Sequence, residues 1–217
     1  MGASIARVKD LVDTVHIALS PAVGWPQQTG LGDLTAVQPM SGSFAAMDED
    51  ACVVYSLGGT RLAGIQSGYA RPALAAGKTR FVLYNRSGNE LRVESRTQNL
   101  YSKTLENSIY LCAMSDTGTL AVATDSADST ARLTVYTPTM SEQLHWDMTG
   151  TQGTPVRMAF AADSRRLAVA AVTSSAGQLQ ANLFVLSLAQ GDPVQLSSGD
   201  LSLIHISEPT RPLYISY

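Results

Sequence analysis

The chain has 217 residues, of which 45% are hydrophobic and 15% charged. That balance excludes a disordered chain, which would be charge-rich and poor in apolar residues, and fits one packed domain or part of a larger many-stranded one. A formal net charge of -3, with lysines and arginines scattered, leaves no basic stripe to neutralise phosphates and no polybasic patch, so nucleic acid is not an expected partner. No run approaches the ~20 apolar residues of a membrane span, and the N-terminus lacks the features of a signal peptide, so the chain as written reads as soluble.

Near the N-terminus Ile5, Val8, Leu11, Val12 and Val15 fall at spacings of three and four, with Lys9, Asp10 and Asp13 on other faces. This predicts a short amphipathic helix. A membrane-surface or partner helix would carry more cations than Arg7 and Lys9, so packing against the domain, or leading out of an anchor, is the expectation. "VHIALSP" (15–21) then reads as a strand or extended linker, and "GWPQQTGLGD" (24–33) as turn-rich. Residues 1–33 are taken as helix and linker.

Beyond residue 33 short apolar runs alternate with turn clusters, the pattern of an all-β fold. The runs "CVVYS" (52–56), "LRVES" (91–95), "LTVYT" (133–137) and "LFVLS" (183–187) align in one column. Each is preceded by a second run ("SFAAM" at 43, "RFVLY" at 80, "TLAVAT" at 119, "RLAVAA" at 166). Each is followed by a third ("TRLAGI" at 60, "QNLYSKT" at 98, "EQLHWDM" at 142, "DPVQLS" at 192). "ARPAL", "SIYLCAM" and "PVRMAF" fill the gaps between units. Four strands in about 40 residues is the arithmetic of a β-propeller blade, so residues 34–200 are expected to form an incomplete propeller of about four four-stranded blades. The longest unit places its extra residues in "TSSAGQLQAN" (173–182), a polar hairpin extension.

"FAADSRRLAVAA" (160–171) and "MSDTGTLAVAT" (114–124) resemble the recurring F-S-P-D-G-(K/R)-x-L-A-V element of WD40-like and YVTN-type bacterial propellers. The resemblance places Asp163, Ser164 and Asp116 to Gly118 in the turn between a blade's first two strands, where Asp accepts from backbone amides two residues on and Gly118 permits a positive φ. "SGYARPAL" (67–74), the stretch 80–112, "LAVAT" and "LTVY" together resemble an uncharacterised bacterial family, domain-of-unknown-function family 5711, over about residues 10–200. That resemblance implies a propeller carried on the extracytoplasmic face of a bacterial membrane by one N-terminal helix, with no assigned reaction. This sequence departs from that pattern by lacking the membrane helix before Ile5, so the expectation is either a soluble member or a true start upstream of Met1.

Candidate chemistry is sparse. His16, His145 and His205 are far apart, so no metal triad is expected. "DSADST" (125–130) offers Asp125 and Asp128 as calcium oxygens but lacks a distal glutamate, and reads as a hairpin tip. "GWPQQTGLG" has no phosphate-cradling order, and no serine lies in G-x-S-x-G. "NRS" (85–87) matches a glycosylation acceptor at chance level. Catalytic, cofactor-binding and metal residues are therefore all expected to be none. Cys52 and Cys112 sit in apolar runs and read as buried free thiols sooner than as a redox pair. The candidate partner contacts are Tyr69 and Arg71, on a loop between blades, and the pair His145 and Trp146, which either lines a ligand groove or sits as an amphipathic pair on an outer strand.

Two functions remain: a non-catalytic module binding a protein, peptide or glycan, and the propeller domain of a larger prolyl-oligopeptidase-like hydrolase. The first is the expectation. Residues 201–217, "LSLIHISEPTRPLYISY", match none of the columns and resemble a translated sequencing-library adapter, so they are expected to be an artefactual tail and not a domain. Four blades, where closed propellers of this type have about seven, would leave a sheet face uncovered, which predicts poor expression as a monomer.

Overall fold

The computed structural model describes residues 2–200, and the proposed adapter tail, 201–217, lies outside the described residues. One helix, α1 (Gly2–Leu19), precedes four antiparallel four-stranded sheets. The first holds β1 (Ala36–Met40), β2 (Ser43–Met47), β3 (Ala51–Ser56) and β4 (Arg61–Gln66). The second holds β5 (Pro72–Ala76), β6 (Arg80–Asn85), β7 (Glu90–Ser95) and β8 (Asn99–Thr104). β9 (Ile109–Met114), β10 (Leu120–Thr124), β11 (Ala131–Tyr136) and β12 (Glu142–Met148) form the third. β13 (Thr154–Phe160), β14 (Arg166–Ser175), β15 (Gln178–Ser187) and β16 (Pro193–Asp200) form the fourth.

Strands pair in chain order within every sheet, so each sheet is one propeller blade, as the repeat predicts. This topology sorts the connections. Turns joining first to second and third to fourth strands lie at one end of the stack. Turns joining second to third strands, and the loops between blades, lie at the other.

Successive blades bury their faces on one another. Cys52 and Val54 meet Phe81 and Leu83 between the first two blades; Val82 and Tyr84 meet Leu120 and Val122 between the next two; and Ala121 and Trp146 meet Leu167, Val169 and Phe184 between the last two. Fully burying one such side chain is worth about 1.5–3 kcal/mol. The second strands need apolar groups on both sides, and β10 is buried at every position. β14 alternates between buried and more exposed residues, because no further sheet covers its second face among the described residues.

The turn between β13 and β14 follows the expected design: Asp163 Oδ1 accepts from the Arg165 amide at 2.9 Å, and Ser164 sits at φ 56°. In the turn before β10 the work is divided differently. Gly118 has φ 85°, but Ser115 Oγ, and not Asp116, accepts the Thr119 amide, while Asp116 pairs with Lys78 of the second blade at 2.8 Å. The 173–182 extension is more ladder than loop: Thr173 pairs with Gln180 and Ser175 with Gln178, and Ala176 and Gly177, both at positive φ, close the hairpin.

The N-terminal segment departs most from expectation. The helix runs through Leu19, so "VHIAL" is helical and not a strand. α1 does pack on the domain, but by its polar side. Asp13 and Ile17 are buried, whereas Val8, Leu11, Val12, Val15 and Leu19 are 50–79% exposed. The linker after α1 then straps the outer face of the first blade. The Trp25 ring lies 5.7 Å from Phe44 and from Tyr55, Leu31 packs beside them, Tyr55 donates to the Gln28 carbonyl, and the Gly32 amide donates to Asp48 Oδ2 at 2.7 Å.

Candidate functional site

The two ends of the stack differ. α1 lies across the end that carries the first-to-second and third-to-fourth turns, on those of the first two blades. Arg80, at the start of β6, donates through Nε to Asp10 Oδ1 at 2.9 Å and through Nη1 to the Pro138 carbonyl at 2.6 Å. Arg96, after β7, donates to the Ser41 carbonyl, the Asp10 carbonyl and Thr14 Oγ1. Thr97 Oγ1 donates to Asp13 Oδ1 at 2.6 Å. Both arginines are 1% exposed. Burial pulls the Arg96 guanidinium below its ordinary pKa, against the opposing pull of Asp13 and Asp10. The acidic stripe of α1 thus faces two buried guanidinium groups, which is why the helix docks polar side down. Close approach at this end also dictates a glycine: a Cβ on Gly77 would collide with the Ser115 backbone of the third blade.

Among the described residues no element covers the opposite end. A cleft of about 500 Å³ lies there between the first two blades, lined by Thr35, Ala36, Met47, Arg71, Pro72, Ala73, Leu74 and Arg86. Its walls come from β1, β2 and β5, and its cations from the ends of β5 and β6. Arg71 and Arg86 are both exposed. The Arg71 amide donates to Asn85 Oδ1 at 3.2 Å, and the Arg86 amide donates to the Arg71 carbonyl at 2.8 Å. Burial raises the pKa of the Tyr84 hydroxyl, against the opposing pull of Arg86. Tyr69 lies half-buried on the same loop as Arg71, packed on the core of the first two blades, and burial raises its phenol pKa too.

The four residues singled out in the sequence do not converge. Tyr69 and Arg71 share the loop between the first and second blades, whereas His145 and Trp146 lie on β12, the outer strand of the third. Trp146 is buried edge-on against Phe184 at 5.2 Å, and His145 points to solvent with Nδ1 2.9 Å from Glu142 Oε1. Adjacent strand residues face opposite sides, so the two sit on different surfaces. Arg86 was missed because it lies inside the "NRS" triplet; its signal was the register that sets it across from Arg71.

Cys52 and Cys112 are free and buried, and burial pushes the Cys52 thiol up to about 12 and Cys112 well above its ordinary value. Among the described residues no three His, Cys, Asp or Glu side chains gather as a metal site, and no helix is long and apolar enough to cross a membrane.

A family model described as "Family of unknown function (DUF5711)" matches residues 23–192. No curated protein matches the sequence. Among solved structures, Hsv2 of "Kluyvelomyces marxianus" aligns with TM-score 0.56 at 13% identity, covering 71% of this chain and 47% of that one. The Pan2 WD40 domain of Neurospora crassa aligns with TM-score 0.52 at 10% identity, covering 74% and 50%. KlAtg21, solved in complex with the coiled coil of AgAtg16, aligns with TM-score 0.52 at 12% identity, covering 81% and 72%. This chain therefore spans about half the length of the first two. At these identities the likeness shows the propeller fold alone.

Proposed function

From the premise that the chain belongs to DUF5711, a family of unknown function, we propose a non-catalytic binding or scaffold module, surface-anchored in its full-length form, that takes a protein, peptide or glycan ligand at its open end. The observation that carries this reading is the asymmetry of the stack. α1 covers one end by a buried polar network and turns an apolar ridge outward, while the inter-blade loops at the other end carry no covering element among the described residues. A ridge of exposed Val and Leu on one helix marks an attachment surface, and loops on a rigid scaffold are where propellers bind partners. The complex of KlAtg21 with a coiled coil supports a protein ligand for this architecture. Placement on the extracytoplasmic face of a bacterial membrane belongs to the same proposal.

Tyr69 and Arg71 are the proposed contacts at the open end. His145 would form a separate contact on the blade edge, and Trp146 would serve it by holding β12 on the fourth blade. A photo-crosslinking residue at position 71 of the full-length protein in cells is expected to give a discrete adduct, and one at Arg165, at the helix end, none. Adducts from Arg165 alone would contradict the proposal.

A further inference from the structure

Arg71 and Arg86 form a cross-strand pair. The β5–β6 ladder pairs Pro72 with Asn85, and one more step, marked by the bond from the Arg86 amide to the Arg71 carbonyl, sets the two arginines directly opposite. Opposed residues in an antiparallel ladder project from the same face with Cβ atoms about 4.5–5.5 Å apart, and like charges so placed repel. Among the described residues neither guanidinium has a carboxylate at ion-pair distance, whereas Arg80, Arg92, Arg132 and Arg166 each do. A like-charged pair kept at the mouth of a cleft is relieved by an anion seated between the two forks.

We propose that Arg71 and Arg86 bind the carboxylate of an acidic side chain in a peptide segment of a protein partner. This inference rests on the open-end binding reading and names its ligand chemistry. Two planar guanidinium groups match a carboxylate bidentately, and the cleft's size lies within the range of ligand pockets. Met47, Ala36, Ala73 and Leu74 add apolar walls that a small inorganic anion would leave unfilled but aliphatic neighbours of a Glu or Asp would cover. The surroundings argue against a polyanion. Glu49, Asp50, Glu106, Asp125 and Asp128 lie in the turns and loops of the same end, so an extended row of phosphates or an anionic bilayer is repelled where one isolated carboxylate is not.

The test is a titration of the ¹⁵N-labelled chain with acetyl-Ala-Leu-Glu-Leu-Ala-amide, following the arginine Nε–Hε resonances. The Arg71 and Arg86 signals, assigned by loss in Arg71→Gln and Arg86→Gln, are expected to shift together and saturate. The Gln counterpart of the peptide, and either substitution in the protein, should weaken binding about tenfold or more, and Arg71→Lys should fall between because lysine lacks the fork. Both arginines are exposed, so the substitutions leave the core intact. Equal binding of the Glu and Gln peptides, equal saturation by inorganic phosphate or by phosphatidylglycerol vesicles, or binding indifferent to both substitutions would each overturn the proposal. Peptide-induced shifts confined to other loops of the open end would overturn this site while leaving the broader binding reading standing. No shift anywhere at that end, together with no adduct from position 71, would remove both.

Discussion

Arg80 and Arg96 are 1% exposed because α1 supplies oxygens that replace the water they lose. Removing one partner of a buried ion pair leaves the other group desolvated and costs more than the pair contributes. Asp10→Asn is accordingly expected to destabilise the fold by about 3 kcal/mol, seen as a lower denaturant midpoint with little change in slope. Asp48 holds the linker strap by accepting from the backbone amides of Gly32, Ala51 and Asp50, and these bonds depress its carboxyl pKa. A depressed folded-state pKa gives stability that is present above the unfolded value, about 3.9, and lost as pH falls through the folded value. The stability advantage of the wild type over Asp48→Asn should therefore be full at pH 6 and shrink below about pH 4; an advantage constant across that span would refute the assignment. Cys52 and Cys112, with thiol pKa values raised by burial, should resist iodoacetamide at pH 8 until the chain unfolds, as mass spectrometry would read.

At the scale of the element, the second and third strands of each blade were legible because their apolar runs, such as "RFVLY" and "LRVES", recur in two aligned columns, and in the inner blades sheets cover both of their faces. β1 was not, since it contains Pro39 and only Met40 of its five residues is buried. α1 was legible as a helix, but not in its orientation. Hydrophobic periodicity names the apolar stripe, and the usual inference that this stripe faces the core fails when buried arginines elsewhere in the chain attract the acidic one. Arg80 and Arg96 lie about 70 to 86 residues from their helical partners, and no local pattern announces them. This inverts the expected mutational response. Leu11→Glu combined with Val15→Glu should leave the melting temperature within about 2 °C of wild type and improve solubility, whereas Ile17→Glu, buried against the domain, should lower it by several degrees. The reverse ranking would mean that the ridge faces inward.

At the scale of the molecule, the two ends of the stack differ in what covers them among the described residues. Four blades in series bury three interblade cores, and the Trp25 to Gly32 strap covers the outer face of the first blade. The far face of the fourth keeps Leu183 exposed on β15. The blade count followed from spacing alone, and the candidate site followed only in part. Arg71 stood out beside Pro72, but Arg86 acquires meaning only through strand register, which sequence spacing does not display. The claim on which this contrast depends is that α1 docks through its polar side on one of the two ends. Hydrogen–deuterium exchange of the wild type and Arg80→Met tests it most directly. Docking predicts that amides of residues 10–19 exchange at least about tenfold more slowly in the wild type than in Arg80→Met, while the open-end loops exchange alike in both. Equal, rapid exchange of 10–19 in the two proteins would contradict it.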